Sequence, residues 1–114
     1  MGKLNVTEPV SLIEQKASEE LVEFMKVIAE PSRFRIIQIL FTNSHSCVNK
    51  LAEILCISQP ATSQHLKILK MANIVVLHRN GRQILYSLDY IGIREKYGNG
   101  IDYLGDYFKN IQKR

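Results

Sequence analysis

The sequence predicts a mainly α chain with one β-hairpin, the layout of a winged helix-turn-helix. Apolar residues recur at three- and four-residue spacing up to Met71; a β-branched run then flanks Asn80-Gly81, and helical spacing returns after Asp89. With 114 residues and 46% hydrophobic content, the chain suits a single domain over 1–114 with one core.

The first ten residues read as a flexible arm, with Pro9 opposing early helix. From Ser11 to Ala29, Leu12, Ile13, Leu21, Phe24, Met25 and Ile28 include a helical stripe, and Ser18-Glu19-Glu20 supplies an internal start signal. Helix one is therefore either continuous or in two pieces. Glu30-Pro31 opens helix two, because proline suits a first turn whose N–H groups have no intrahelical partner. Phe34, Ile37, Leu40 and Phe41 are its expected buried face, and it should end near Thr42.

After the polar loop Asn43-Ser44-His45-Ser46, the spacing of Val48, Leu51, Ala52 and Leu55 predicts a short helix of about eight residues. Cys56-Ile57-Ser58 is a tight connection, with Ser58 as N-cap and Pro60 in the first turn of helix four. That helix runs to Met71 with Thr62, His65, Leu66 and Leu69 inward, and Asn73 is its left-handed terminator. Ile74 to Arg79, the turn Asn80-Gly81, and Gln83 to Leu88 form the hairpin. The last helix, 91–112, is expected to break or kink at Gly98-Asn99-Gly100. Its residues Ile101, Leu104, Tyr107, Phe108 and Ile111 are more apolar than a water-facing segment should be, so a partner surface is expected.

The formal charge is +4, and its placement matters more than its size. From Ser58 to Leu88 there is no Asp or Glu, while Lys67, Lys70, Arg79 and Arg82 are all cationic. A polyanion is the natural partner of such a surface, and double-stranded DNA fits the layout. If Thr62, His65, Leu66 and Leu69 point inward, Gln59, Ser63, Gln64, Lys67 and Lys70 share the opposite stripe, with Ser58 at its head. Glutamine can read adenine through two hydrogen bonds, serine serves bases or phosphates, and the lysines meet phosphates. Arg79 and Arg82 flank the hairpin tip, in reach of a minor groove or phosphate. His65 among apolar neighbours reads as a buried histidine bonded to backbone.

No long apolar run and no secretory leader core is present, so no membrane partner and a cytoplasmic location are expected. Cys47 and Cys56 fit a reducing compartment. Were the segment between them helical, their Cα atoms would lie about 13 Å apart, beyond the roughly 7 Å a disulfide spans. Cys47, near a helix N-terminus, is a possible redox residue, whereas Cys56 reads as buried and structural. There is no glycine-rich phosphate loop and no nucleophile elbow, so an enzyme is not expected.

The stretches IAEPSRFRIIQIL, LAEILCISQPATSQHLKILKMANIV and HRNGRQILYSL together resemble the ArsR/SmtB-type winged-helix repressors, over roughly residues 18 to 90. The resemblance implies a homodimer built from the first and last helices, here 18–29 and 91–112. It also implies operator binding that represses an operon, and release by an inducer. Many members of that family sense metals, but the ligands are missing here. Asn49 stands where a Cys-Val-Cys motif has its second cysteine, and all three histidines precede the last helix, where another site needs them. No metal and no cofactor is expected, and the inducer is unknown. The alternative is a protein-interaction module on the same scaffold, without inducer response.

Overall fold

The computed structural model describes residues 11–112. The expected arm over residues 1–10, and the side chains of Ile13 and Phe108, lie outside the described residues. Along the chain run α1 (Leu12–Ile28), α2 (Pro31–Asn43), α3 (Val48–Leu55), α4 (Gln59–Met71), β1 (Val75–Asn80), β2 (Gln83–Leu88) and α5 (Tyr90–Gln112). No described helix is long and apolar enough to cross a membrane.

Helix α1 is one piece. The Ser11 hydroxyl accepts the Glu14 N–H at 3.1 Å, so the helix starts there and the expected start signal at Ser18 falls in its interior. The span 18–29 expected at the partner surface is thus the second part of a longer helix. Helix α5 is likewise continuous, so of the expected break or kink at Gly98-Asn99-Gly100 the break does not occur. Its start is fixed by Asp89, whose carboxylate accepts the Gly92 N–H at 2.8 Å. Two glycines cost a helix interior about 1 kcal/mol each relative to alanine, so something must offset them. At Gly100 the offset is a neighbour: a Cβ there would lie 2.5 Å from the Ala17 carbonyl oxygen and 3.0 Å from the Leu21 Cβ. This is where α1 and α5 approach closely.

One core joins the remaining elements, centred on Ile36, Leu40, Leu51, Leu66, Leu69, Ile74, Val75 and Tyr97. The buried face of α2 is Ile36, Ile39 and Leu40, with Ile37 partly buried against it; of the expected face Leu40 and Ile37 turn inward, but Phe34 is 48% and Phe41 71% exposed. Apolar residues cover most of the circumference of α2, so spacing alone does not choose among its faces; α3, α4 and β2 pack on the Ile36 side and decide it. Tyr97 is fully buried, packs its ring against Phe24 with centroids 4.9 Å apart and planes tilted by 55°, and donates its hydroxyl to the Ala72 carbonyl at 2.5 Å.

The hairpin pairs Val75 with Leu88 through to Asn80 with Gln83, antiparallel. Its two loop residues are therefore Gly81-Arg82, one position later than expected, with φ +64° at Gly81 and a negative φ at Arg82. That sign pattern belongs to a type II′ turn, which takes glycine first. Burial of the cross-strand pair Val75 and Leu88 on one face sets the register, because a one-residue slip would part them and turn one to water. The loop before α3 also does more than connect: Ser46 is buried and bridges Tyr86 through backbone bonds of 2.9 and 2.8 Å.

The two helical glycines at positions 100 and 105 should respond oppositely to alanine. Gly100→Ala must separate α1 from α5 and lower the urea midpoint, whereas Gly105, with nothing within 4 Å of its virtual Cβ, should gain up to about 1 kcal/mol as Gly105→Ala. Equal responses in urea denaturation would contradict the close approach at Gly100.

Candidate nucleic-acid interface

The turn between α3 and α4 is built by three residues with distinct tasks. Cys56 takes the left-handed conformation (φ 56°, ψ 40°) and its N–H returns to the Ala52 and Glu53 carbonyls, ending α3. The Ile57 N–H bonds the Ala52 carbonyl at 3.2 Å. Ser58 then turns extended, and its hydroxyl accepts the Ala61 N–H at 3.2 Å to open α4, with Pro60 in the first turn. The expected burial of Cys56 is corrected: its left-handed place was legible, but its side chain is exposed. Cys47 is half-buried at the N-cap position of α3 and makes no capping bond with its side chain.

Thr62, Leu66 and Leu69 are each fully buried. The Thr62 hydroxyl satisfies itself by donating to the Ser58 carbonyl at 2.9 Å, so no polar atom is stranded under the helix. Burying that stripe turns the opposite one outward. Gln59, Ser63, Gln64, Lys67 and Lys70 are all exposed, as is Ser58 at the head of the helix. Arg79 and Arg82 are exposed beside the hairpin tip with Asn80, Gly81 and Gln83. The eight residues expected to meet DNA therefore lie on two exposed features, linked by Ala72, Asn73 and Ile74. Asn73 makes that link by adopting φ 61°.

Two residues of α4 differ from expectation. Met71, unremarked in the sequence, is 71% exposed and stands four residues after Lys67, which puts it on the outward stripe; the i, i+4 spacing was the available signal. His65 is neither fully buried nor bonded to backbone: its side chain is 21% exposed, with Nδ1 at 3.6 Å from Glu30 Oε2 and 3.5 Å from Arg33 Nη1. Glu30 is the N-cap of α2 and accepts the Arg33 N–H at 2.9 Å. Partial burial pushes its carboxyl up, but the Arg33 and Ser32 backbone N–H groups, with the His65 and Arg33 charges, together hold it below the usual carboxylate value.

Among the described residues no group of three or more His, Cys, Asp or Glu side chains is placed to hold a metal ion. What the surface offers chemically is hydrogen-bonding side chains and four cations, from a stretch, residues 58 to 88, that has no Asp or Glu.

A family profile described as "Bacterial regulatory protein, arsR family" matches residues 30–76. The chain is 42% identical over 66 residues to the HTH-type transcriptional repressor SmtB of Mycobacterium tuberculosis, over 58% of this chain and 48% of that protein. It thus spans about half the length of that relative. It is 39% identical over 64 residues to the transcriptional repressor SdpR of Bacillus subtilis, over 56% of this chain and 70% of that protein. Among solved structures, NolR from Sinorhizobium fredii superposes with a TM-score of 0.66 at 29% identity, covering 81% of this chain and 91% of that one.

Removing the cap of α4 tests the local geometry. Ser58→Ala should cost about 1 kcal/mol in urea denaturation, and Ser58→Asp, which keeps an acceptor for the Ala61 N–H, should recover most of it. An alanine variant as stable as the wild type would show that the hydroxyl does not cap the helix.

Proposed function

The chain belongs to the arsR family of bacterial regulatory proteins, and we propose that it works as a homodimeric transcriptional repressor that binds operator DNA through α4 and the hairpin. One observation carries this reading: every side chain on the outward stripe of α4 is polar, cationic or, in Met71, flexible and apolar, and no carboxylate interrupts it. A helix so furnished suits the major groove, where Gln59 and Gln64 can pair with adenine edges and Met71 can touch a thymine methyl. Lys67, Lys70, Ser58 and Ser63 set register on phosphates, and Arg79 and Arg82 reach the flanking backbone or minor groove.

Dimerisation is supported by α1 and α5. Leu12, Val22 and Met25 on the first, and Ile101 and Ile111 on the second, are large apolar side chains left facing solvent in one copy. A second copy packed across both helices would cover them, and a two-fold axis there would present two α4 helices to two half-sites. The regulator would act in the cytoplasm, and an inducer would release it. The sequence lacks the expected metal ligand sets, so the inducer's chemistry is left open, with Cys47 the residue suited to a redox signal.

The test uses a duplex selected by the purified protein from a random-sequence pool, titrated over a salt series, with sedimentation equilibrium for the oligomer. Lys67→Ala should weaken binding to all duplexes and flatten the log–log salt slope by about 1. Gln64→Ala should instead cost about 1–3 kcal/mol on the selected duplex alone, narrowing its advantage over random DNA. Arg82→Ala should behave like Lys67→Ala. Selection of no duplex, or three variants that bind like the wild type, would overturn the reading, and copurification of another protein in place of DNA would favour an interaction module.

A further inference from the structure

His65 lies beside the outward stripe of α4 but is engaged from below. Its Nδ1 meets two groups at nearly the same distance, Arg33 Nη1 at 3.5 Å and Glu30 Oε2 at 3.6 Å. The two make opposite demands. A guanidinium only donates, and a carboxylate only accepts. An unprotonated Nδ1 can accept from Arg33 and offers Glu30 nothing; a protonated Nδ1 can donate to Glu30 and offers Arg33 nothing.

Neither partner is free to follow the ring. Arg33 Nε donates to the Val27 carbonyl at 2.6 Å, which fixes the guanidinium to the end of α1. Glu30 Oε2 is held as the cap of α2 by the Arg33 N–H at 2.9 Å. The other titratable or charged side chains on the elements packed against α4 are Arg35 on α2, Lys50 and Glu53 on α3, and His78 and Arg79 on β1. Among the described residues none of these has an ion pair or hydrogen bond with His65. Within α4 itself, Lys67 and Lys70 face outward.

We propose that His65 is a pH-responsive positioning residue for DNA binding: the neutral ring, as its Nε2–H tautomer, accepts at Nδ1 from Arg33, and the protonated ring donates from Nδ1 to Glu30. Acidification then adds one cation to α4 without undocking the helix. The inference rests on the DNA-binding reading above. Its sign follows from linkage. Glu30 and Arg33 cancel in charge, so protonating His65 leaves the cluster with one net positive charge beside a polyanion. DNA must therefore favour the protonated form, and affinity must rise as the pH is lowered and the imidazole gains its proton. Glu30 remains the charged partner, since its carboxyl is held below its usual value.

The experiment has two arms, both on the full chain. To isolate His65, a His45→Gln/His78→Gln background removes the other two imidazoles, both exposed. In the first arm, NMR follows the His65 ring of the free protein against pH. Glu30→Gln, which keeps an acceptor for the Arg33 N–H, should lower its midpoint by about half a unit or more. An unchanged midpoint overturns the proposal. In the second arm, affinity for the selected duplex should tighten about fivefold between about pH 8 and about pH 6, and less than about twofold in His65→Gln. A His65→Gln variant that keeps the full pH response also overturns it. Thermal unfolding of each variant shows that the compared chains are folded. Absence of binding at every pH would overturn the DNA-binding reading and this inference with it, and is told apart from failure of the switch by the first arm, which needs no DNA.

Discussion

A single buried hydroxyl ties the two halves of this molecule together. Tyr97 projects from the first half of α5 into the core, and its O–H donates to the carbonyl of Ala72, the residue at which α4 ends. Burial pushes the Tyr97 phenol up, against a lowering by the nearby Lys96, so the group remains a donor. A carbonyl left there without a partner would cost about 1–3 kcal/mol, comparable with a sizeable share of the stability of a small domain. The same turn is held again by the Asp89 N–H on the Ile74 carbonyl at 2.9 Å. The C-terminal end of α4 is thus anchored by Tyr97 of the helix proposed to hold the dimer.

The elements were legible where local chemistry and tertiary burial agree. Ser58, Pro60 and Asn73 bracket α4 by capping, first-turn preference and left-handed backbone, and each acts in that way in the fold. The face of α2 was not legible, because Phe34, Ile36, Ile37, Ile39, Leu40 and Phe41 leave little of its circumference polar and only the neighbouring elements choose the side. Gly98 and Gly100 misled for a related reason. Intrinsic propensity says that glycine interrupts a helix, but the contact with Ala17 and Leu21 needs a residue without Cβ at position 100, and that long-range fact is invisible in a local pattern. The hairpin turn was placed one residue early because Asn-Gly is a strong turn signal, whereas the register answers to the buried pair Val75 and Leu88.

The candidate surface was legible by subtraction. Once Thr62, Leu66 and Leu69 are assigned inward, helical geometry sends Gln59, Ser63, Gln64, Lys67 and Lys70 outward, and their exposure follows. Its supports were not. His65 reads locally as one more inward position, yet its partners Glu30 and Arg33 come from the start of another helix, and no spacing rule within α4 points to them. Cys56 shows the limit of residue-type averages: cysteine is usually buried, but the left-handed turn it occupies leaves the thiol in solvent.

The central claim is that the outward face of α4 and the hairpin tip touch DNA while α1 and α5 do not. An NMR footprint of the selected duplex on the labelled protein tests this most directly. The account predicts that the side-chain amides of Gln59 and Gln64, the methyl of Met71 and the Nε–H groups of Arg79 and Arg82 shift, with Leu12, Val22 and Met25 on α1 unmoved. Shifts confined to α1 and α5, with the α4 side chains unchanged, would contradict it.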